Sequence, residues 1–207
     1  MNRYFAFNGL PGSFVLTLLL SGLALLSALV KPCTARWLCF AGMVMSSIGD
    51  IFLMRFRGLD RLFPNYFIWG AAAFMVAHIL YTFSYRSLSA SRGHRFFNGG
   101  VIFVMILSAL SLIYILNVCH KRSNYSDLPL SIVYLAVISI GCCAIFSYAW
   151  ASFPKRPWAI LSAVGALSFF ISDFIIGLGM LAGINRYSHL IWWFYPIGQI
   201  LIILFCR

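Results

Sequence analysis

Residues 158–181 read WAILSAVGALSFFISDFIIGLGML, an apolar run in which Asp173 is the single charged residue. At about 1.5 Å of rise per residue, a helix of this length crosses the roughly 30 Å hydrocarbon core of a bilayer. Apolar and polar residues do not alternate along the run, as they would in a strand of a membrane β-barrel. The run therefore predicts a membrane-spanning α-helix.

The rest of the chain repeats this pattern. Six further apolar runs, separated by charged residues, prolines and glycines, lie at 13–30, 37–54, 66–85, 98–117, 129–151 and 189–205. The sequence predicts an all-α fold, a polytopic transmembrane helical bundle with seven spans, forming one integral membrane domain over residues 1–207. Eight spans stay possible if the run 158–181 breaks near Gly177-Leu178-Gly179. The run 13–30 lacks a small-x-small cleavage site and is expected to be a retained helix.

The composition excludes a soluble protein. Hydrophobic residues make up 62% of the chain and charged residues 9%, whereas a soluble domain carries about 25% charged residues. The net charge is +11, but basic residues such as Lys31, Arg36 and Lys155 stand at the ends of apolar runs, where they reach anionic headgroups. We therefore expect a multi-pass protein of the cell membrane that contacts membrane lipids and no nucleic acid. The pattern carries no signal for an oligomeric state.

Several classes of site have no signature in this sequence. The six cysteines are scattered without a CxxC pair, and the four histidines stand far apart in the chain. We find no nucleophile elbow, Walker loop, HExxH motif or dinucleotide fingerprint. The sequence therefore predicts neither a metal site nor a cofactor.

Two aspartates stand inside apolar runs. Asp60 and Asp127 lie in polar joints, but Asp50 lies in GMVMSSIGDIFLM and Asp173 in the run quoted above. An acid at mid-membrane costs about 2.5–3.5 kcal/mol on insertion scales and usually has a function, the alternative being a bond that holds two helices together. Both runs cross in the same direction under the seven-span count, and both aspartates come late in their runs. They are therefore expected near the same face, in one cavity.

Further polar residues join them. His78 lies in GAAAFMVAHILYTF, with Tyr81 at i+3 on the same helical face. A lone histidine in an apolar run is more often a packing residue, yet beside two unexplained acids a functional role is as well supported. Tyr195 and Gln199, spaced i, i+4 in the last run, are candidates to complete a polar lining or, alternatively, an interfacial tyrosine and a helix-bridging amide.

A glycine stands two helical turns before each of the three ionisable residues. The sets, spaced i, i+4, i+8, are Gly42–Ser46–Asp50, Gly70–Phe74–His78 and Gly165–Phe169–Asp173. Glycine at such positions permits the close approach of a neighbouring membrane helix. The pattern predicts close helix packing next to the polar residues.

These elements resemble the YhhN family of membrane proteins, whose characterised members are lysoplasmalogenases. The resemblance extends from about residue 37 to 205, and Tyr195 and Gln199 match more weakly than the rest. The matching residues are Ser46-Ser47-Ile48-Gly49-Asp50, Gly70, Phe74, Ala77-His78, Tyr81, Gly165-Ala166, Phe169 and Ser172-Asp173. Members usually show eight spans, whereas here one apolar run precedes the Ser-x-x-Gly-Asp element where two are expected.

The resemblance implies hydrolysis of the vinyl ether bond of lysoplasmalogen, a lysophospholipid, to a fatty aldehyde and a glycerophospho-base. A vinyl ether breaks down when its carbon is protonated, which needs an acid and an anion near the developing positive charge. Two carboxylates in different surroundings can divide these roles without a metal. Asp50, Asp173 and His78 are then the catalytic candidates, and the sequence does not decide which aspartate is the acid.

The resemblance also implies candidates for substrate binding. They are Tyr81, Ser47, Ser172, Tyr195 and Gln199. His78 and Tyr81 would orient water or the glycerol hydroxyl, and basic residues such as Arg55 and Arg57 would hold the phosphate.

Two other functions fit the same residues. A proton-coupled small-molecule transporter also places acids and a histidine in a polar path, although the chain shows no convincing repeat of its two halves. A non-catalytic lipid-binding protein would use the aspartates to hold helices together. Release of aldehyde from lysoplasmalogen by the purified protein supports the hydrolase alone.

Overall fold

The computed structural model describes residues 12–53, 62–122 and 125–206. Within them lie seven α-helices, with a short 3-10 helix, Pro157–Ala159, leading into the sixth. The helices are α1 Gly12–Val30, α2 Thr34–Leu53, α3 Tyr66–Ser91, α4 Gly99–Arg122, α5 Leu128–Ser152, α6 Ile160–Ala182 and α7 Ser188–Leu204. Each predicted apolar run corresponds to one helix, so the prediction of an all-α helical bundle is confirmed.

The helix ends differ from the predicted runs at several places. The runs 66–85 and 98–117 are too short, because α3 continues to Ser91 and α4 to Arg122. An apolar run stops at the first charges, whereas a helix continues through Arg, Lys and Ser residues. The possible break near Gly177 is absent, since α6 is continuous to Ala182 and ends on Gly183 in the left-handed conformation, φ +59°.

Length and composition make five of these helices, α2 to α6, long and apolar enough to cross a membrane. The other two apolar stretches, Val15–Val30 and Ser188–Leu204, are shorter. Large apolar side chains such as Leu19 and Ile113 are exposed, whereas polar side chains such as Ser46 and Gln199 are buried. This arrangement suits a hydrocarbon surrounding, where polar groups find their partners inside the bundle. The protein is an integral membrane protein.

Six helices form a ring. Along the ring, α1 packs on α2, α2 on α3, α3 on α5, α5 on α6, α6 on α7 and α7 on α1, while α4 lies outside against α5 and α6. Helices that follow each other in the chain and pack together run antiparallel. The contacts between Ser21 and Ser47 and between Tyr134 and Asp173 fit this direction. The start of α1, the end of α2, the start of α5 and the end of α6 therefore share one face, here called the first face.

Glycines lie where helices approach each other closely, as their spacing predicted. A methyl group on Gly42 would lie 2.6 Å from the Tyr81 ring, and one on Gly70 would lie 3.3 Å from the carbonyl oxygen of Gly49. Between α6 and α7, a methyl group on Gly165 would lie 2.9 Å from the carbonyl oxygen of Gly198. The prediction of close packing next to the polar residues is confirmed.

We expect Gly198→Ala to destabilise the bundle by about 1–3 kcal/mol, the usual range for an overpacked core. The added methyl group would lie 2.9 Å from both the Gly165 oxygen and the Phe169 nitrogen, backbone atoms that move only if α6 and α7 separate. Thermal unfolding of the purified protein in detergent measures the change. Gly22→Ala in α1 is the matched control, because its methyl group would meet no atom of the described residues within 4 Å. Equal melting temperatures for the two variants would contradict this account of the α6–α7 contact.

Candidate functional site

The first part of the site is a buried pair of ionisable side chains. His78 on α3 places Nε2 3.7 Å from Oδ2 of Asp173 on α6. The two residues are 2% and 6% exposed. The Tyr134 hydroxyl on α5 donates a hydrogen bond of 2.6 Å to the same carboxylate oxygen. Three helices thus converge on one carboxyl group.

The imidazole is held mainly by packing. Its ring meets the Phe169 ring edge-on, with centroids 4.8 Å apart. A methyl group at Gly141 would lie 3.0 Å from Nδ1, a tight contact that glycine avoids. Neither ring nitrogen of His78 has a hydrogen-bond partner among the described residues. A buried polar atom without a partner is uncommon and calls for an explanation.

The second carboxyl group, Asp50, is held by two hydroxyls. Tyr195 on α7 donates a hydrogen bond of 2.6 Å to Oδ2 of Asp50, and Thr17 on α1 donates to the same oxygen. The donors come from α1, which is next to α2 in the ring, and from α7, which is next to α1. Hydroxyl donors of this kind replace the water that a carboxylate loses on burial.

A hydrogen-bonded network continues from Asp50 into the centre of the ring. The Tyr195 hydroxyl lies 3.0 Å from the Ser46 hydroxyl, which accepts a bond of 2.9 Å from Nε2 of Gln199. Oε1 of Gln199 in turn accepts a bond of 2.8 Å from the Tyr81 hydroxyl. All four side chains are buried. The network joins α2, α3 and α7.

Aromatic packing connects the two carboxyl groups. The Tyr195 ring, whose hydroxyl binds Asp50, lies 5.5 Å from the Phe169 ring between centroids. Phe169 contacts His78, and His78 pairs with Asp173. The predicted catalytic residues are thus neighbours through two shared aromatic rings.

A cavity of about 70 Å³ lies beside Asp173, between α5 and α6, with walls from α2, α3 and α4. Its polar lining residues are Asp173, Tyr134 and Ser131, and the remainder are aliphatic or aromatic, apart from Gly177. Asp50 and His78 are not among the residues that line it. Asp50, His78 and Asp173 were expected to line one cavity, but of the three only Asp173 lines this one. His78 contacts Asp173 but does not reach the cavity, and Asp50 is separated from His78 by the rings of Tyr195 and Phe169.

The sequence model of the YhhN family matches residues 13–205. The chain belongs to the YhhN family. Proteins named lysoplasmalogenase in Mycobacterium bovis and in Mycobacterium tuberculosis are each 28% identical to it over 141 residues, or 66% of this chain and 49% of theirs. A lysoplasmalogenase homolog of Dictyostelium discoideum is 24% identical over 170 residues, or 70% of this chain and 51% of its own. This YhhN chain spans about half the length of these curated relatives, and no solved structure matches it.

Two serines proposed as substrate-binding residues have other partners in this YhhN protein. The Ser47 hydroxyl lies 2.8 Å from that of Ser21 and 3.0 Å from the Met43 carbonyl oxygen. The Ser172 hydroxyl donates to the carbonyl oxygen of Phe169 at 2.8 Å and, at the longer distance of 3.5 Å, to Oδ1 of Asp173. Neither serine lines the cavity. Ser47 joins α1 to α2, and Ser172 bonds within its own helix.

Other candidates lie outside the described residues or were missed. Arg55 and Arg57, proposed as phosphate ligands, fall in the stretch that is not described. Thr17 and Tyr134 bind the two carboxyl groups, yet a single hydroxyl in an apolar run carries no distinctive spacing. Ser46 was marked by the Ser-x-x-Gly-Asp element and by the Gly42–Ser46–Asp50 spacing, but it was not among the predicted site residues. In the part of the chain that the structure describes, no three His, Cys, Asp or Glu side chains cluster as metal ligands.

We expect Gln199→Leu to destabilise this YhhN protein by about 1–3 kcal/mol. Among the described residues, the buried Tyr81 hydroxyl then keeps only the weak acceptor Met43 Sδ at 3.8 Å, and the Ser46 hydroxyl loses a donor. Tyr81→Phe alone should also destabilise it, by leaving the Gln199 carbonyl oxygen unpaired. The double variant should lose less stability than the sum of the single variants, since neither partner is then left unsatisfied. Melting temperatures of the unaltered protein, the two single variants and the double variant, all in one detergent, complete this double-mutant cycle. Additive losses would show that the two side chains do not act as a pair.

Proposed function

We propose that this protein hydrolyses the vinyl ether bond of lysoplasmalogens, releasing a fatty aldehyde and a glycerophospho-base. The observation that carries the proposal is Asp173, a buried carboxyl group on the wall of a largely apolar cavity, paired with His78 at 3.7 Å. The names of the mycobacterial and Dictyostelium relatives agree with this activity. An apolar cavity with one acidic group suits a lipid whose reactive bond joins a hydrocarbon chain to glycerol.

The chemistry needs proton transfer to carbon. A proton added to the chain-side carbon of the double bond leaves an oxocarbenium ion at the ether carbon. Water adds to that carbon and gives a hemiacetal, which collapses by breaking the bond to the glycerol oxygen. The hemiacetal hydroxyl proton passes to this oxygen, so the products are an aldehyde and an alcohol, with one water consumed.

Asp173 is assigned the role of general acid, because it is the one carboxyl group among the described residues that line the cavity. Once it has given up its proton, its carboxylate stands beside the oxocarbenium ion and stabilises that charge. The attacking water then returns a proton to Asp173, either directly or through the imidazole of His78. The Tyr134 hydroxyl fixes the orientation of the carboxyl group during both steps.

Asp50 is assigned a positioning role. Its carboxyl group accepts hydrogen bonds from Thr17 and Tyr195 and does not line the cavity. The Tyr195 ring packs on Phe169, and Phe169 packs on His78. Asp50 thereby fixes the aromatic rings against which the imidazole stands.

The test is release of aldehyde from lysoplasmalogen by the purified protein in detergent. We expect Asp173→Asn to lower the rate about a hundredfold or more, the usual contribution of a general acid. The substitution keeps the shape of the side chain and should leave the protein monodisperse. Asp127→Asn is the matched control, because Asp127 is exposed before α5 on the first face, and its rate should equal that of the unaltered protein.

Two results would contradict the proposal. The unaltered protein would release no aldehyde, or Asp173→Asn would keep its activity per folded molecule while its melting temperature falls. The second result would make Asp173 a residue that holds helices together. Proton uptake by reconstituted vesicles, with no aldehyde formed, would instead favour a proton-coupled transporter.

A further inference from the structure

Gly177 lies on the cavity wall one helical turn from Asp173. Asp173, Gly177 and Leu181 are spaced by four residues and all line the cavity, so they form one stripe along α6. The stripe runs from the carboxyl group toward the first face, where α6 ends. A ligand that extends from Asp173 in this direction passes directly over Gly177.

Neither helix packing nor backbone conformation requires glycine at this position. A methyl group on Gly165 or Gly198 would meet backbone atoms at 2.9 Å, whereas one on Gly177 would have no atom of the described residues within 4 Å. The glycines with positive φ in the described part of the chain are Gly93 and Gly183. Because Gly177 has no side chain, the cavity keeps open space beside it.

The wall opposite Gly177 is apolar. The hydrogen bond from Tyr134 to Asp173 sets these two residues at the same level. One turn nearer the first face, Leu130 on α5 lines the cavity at the level of Gly177. Leu181 on α6 lines it one further turn toward that face. Ser131 also lines it, but its hydroxyl donates to the Asp127 carbonyl oxygen at 2.8 Å. The space beside Gly177 thus suits hydrocarbon.

We propose that Gly177 sets the length of the aliphatic chain that the cavity accepts beside Asp173. The inference rests on the proposed function in one respect, that the ligand is a lipid with a single hydrocarbon chain. A larger side chain at 177 would fill the space of the methylene groups that lie about 6 Å, one helical turn, beyond Asp173. Each methylene group excluded from an apolar site weakens binding by about fourfold.

The test uses saturated alkyl ether lysophospholipids, which lack the double bond and so are not cleaved by carbon protonation. Binding of an octadecyl and a butyl ether is measured for the unaltered protein and for Gly177→Leu in the same detergent. We expect Gly177→Leu to weaken binding of the octadecyl ether on the order of tenfold and to change binding of the butyl ether, whose chain ends before Gly177, less than about twofold. Gly22→Leu is the matched control. Gly22 is exposed on α1 with no described atom within 4 Å of an added methyl group, and both affinities should stay unchanged.

An equal effect of Gly177→Leu on the two ethers, or no effect on either, would overturn the inference. If Gly177→Leu does not fold, Gly177→Ala decides. Alanine favours the helix, and it should shift the preference toward shorter chains in the same direction by a smaller factor. Failure of the hydrolase proposal is separately visible, because the protein would then discriminate between the ethers yet release no aldehyde from lysoplasmalogen.

Discussion

A carboxyl group inside an apolar bundle needs hydrogen-bond donors from the protein, because the surrounding hydrocarbon supplies none. In this protein hydroxyl groups on other helices supply them. Asp50 on α2 is bonded by Thr17 and Tyr195 from α1 and α7, and Asp173 on α6 is bonded by Tyr134 from α5. The same bonds fix the relative positions of these helices. The two acids therefore organise the bundle and the candidate site together, and a substitution at either one must be tested for folding as well as for activity.

The glycines that accompany the polar residues make room for side chains as well as for helices. Gly42 admits the ring of Tyr81, whose hydroxyl reaches Gln199, and Gly141 admits the imidazole of His78. Gly165, by contrast, brings the backbones of α6 and α7 together. Gly177 belongs to neither group, since it opens into the cavity. Glycines two turns from a polar residue thus share one sequence pattern, but Gly42 makes room for a side chain and Gly165 lets two backbones approach.

The helices could be predicted from the sequence because hydrocarbon length fixes how long an apolar run must be. Their ends could not, because helical conformation persists past the charged residue that closes the run, as after Arg86 in α3. Asp50, His78 and Asp173 could be singled out because an ionisable residue in an apolar run is costly.

Their partners depend on which helices are neighbours, and no local pattern encodes that. Tyr134 and Thr17 are ordinary residues for their runs, and their roles come from long-range packing. Ser47 and Ser172 are the opposite case. They were predicted to bind substrate, and they lie close in sequence to Asp50 and Asp173. Successive residues on a helix point about 100° apart, so the Ser47 hydroxyl meets Ser21 and a backbone oxygen in place of the aspartate. The Ser172 hydroxyl donates chiefly to the Phe169 carbonyl oxygen and reaches Asp173 only at 3.5 Å. Adjacency along a helix is a poor guide to a shared site.

The central claim is that a buried carboxyl group delivers a proton to carbon, and hydrolysis in heavy water tests it most directly. The purified protein is given lysoplasmalogen in deuterium oxide, and the aldehyde is captured as it forms by a carbonyl-trapping amine. Authentic aldehyde in the same mixture measures exchange that occurs without the protein. Carbon protonation predicts one deuterium on the carbon next to the carbonyl group. Aldehyde with no deuterium at that carbon would contradict the account, because the ether bond would then have broken without proton transfer to the double bond.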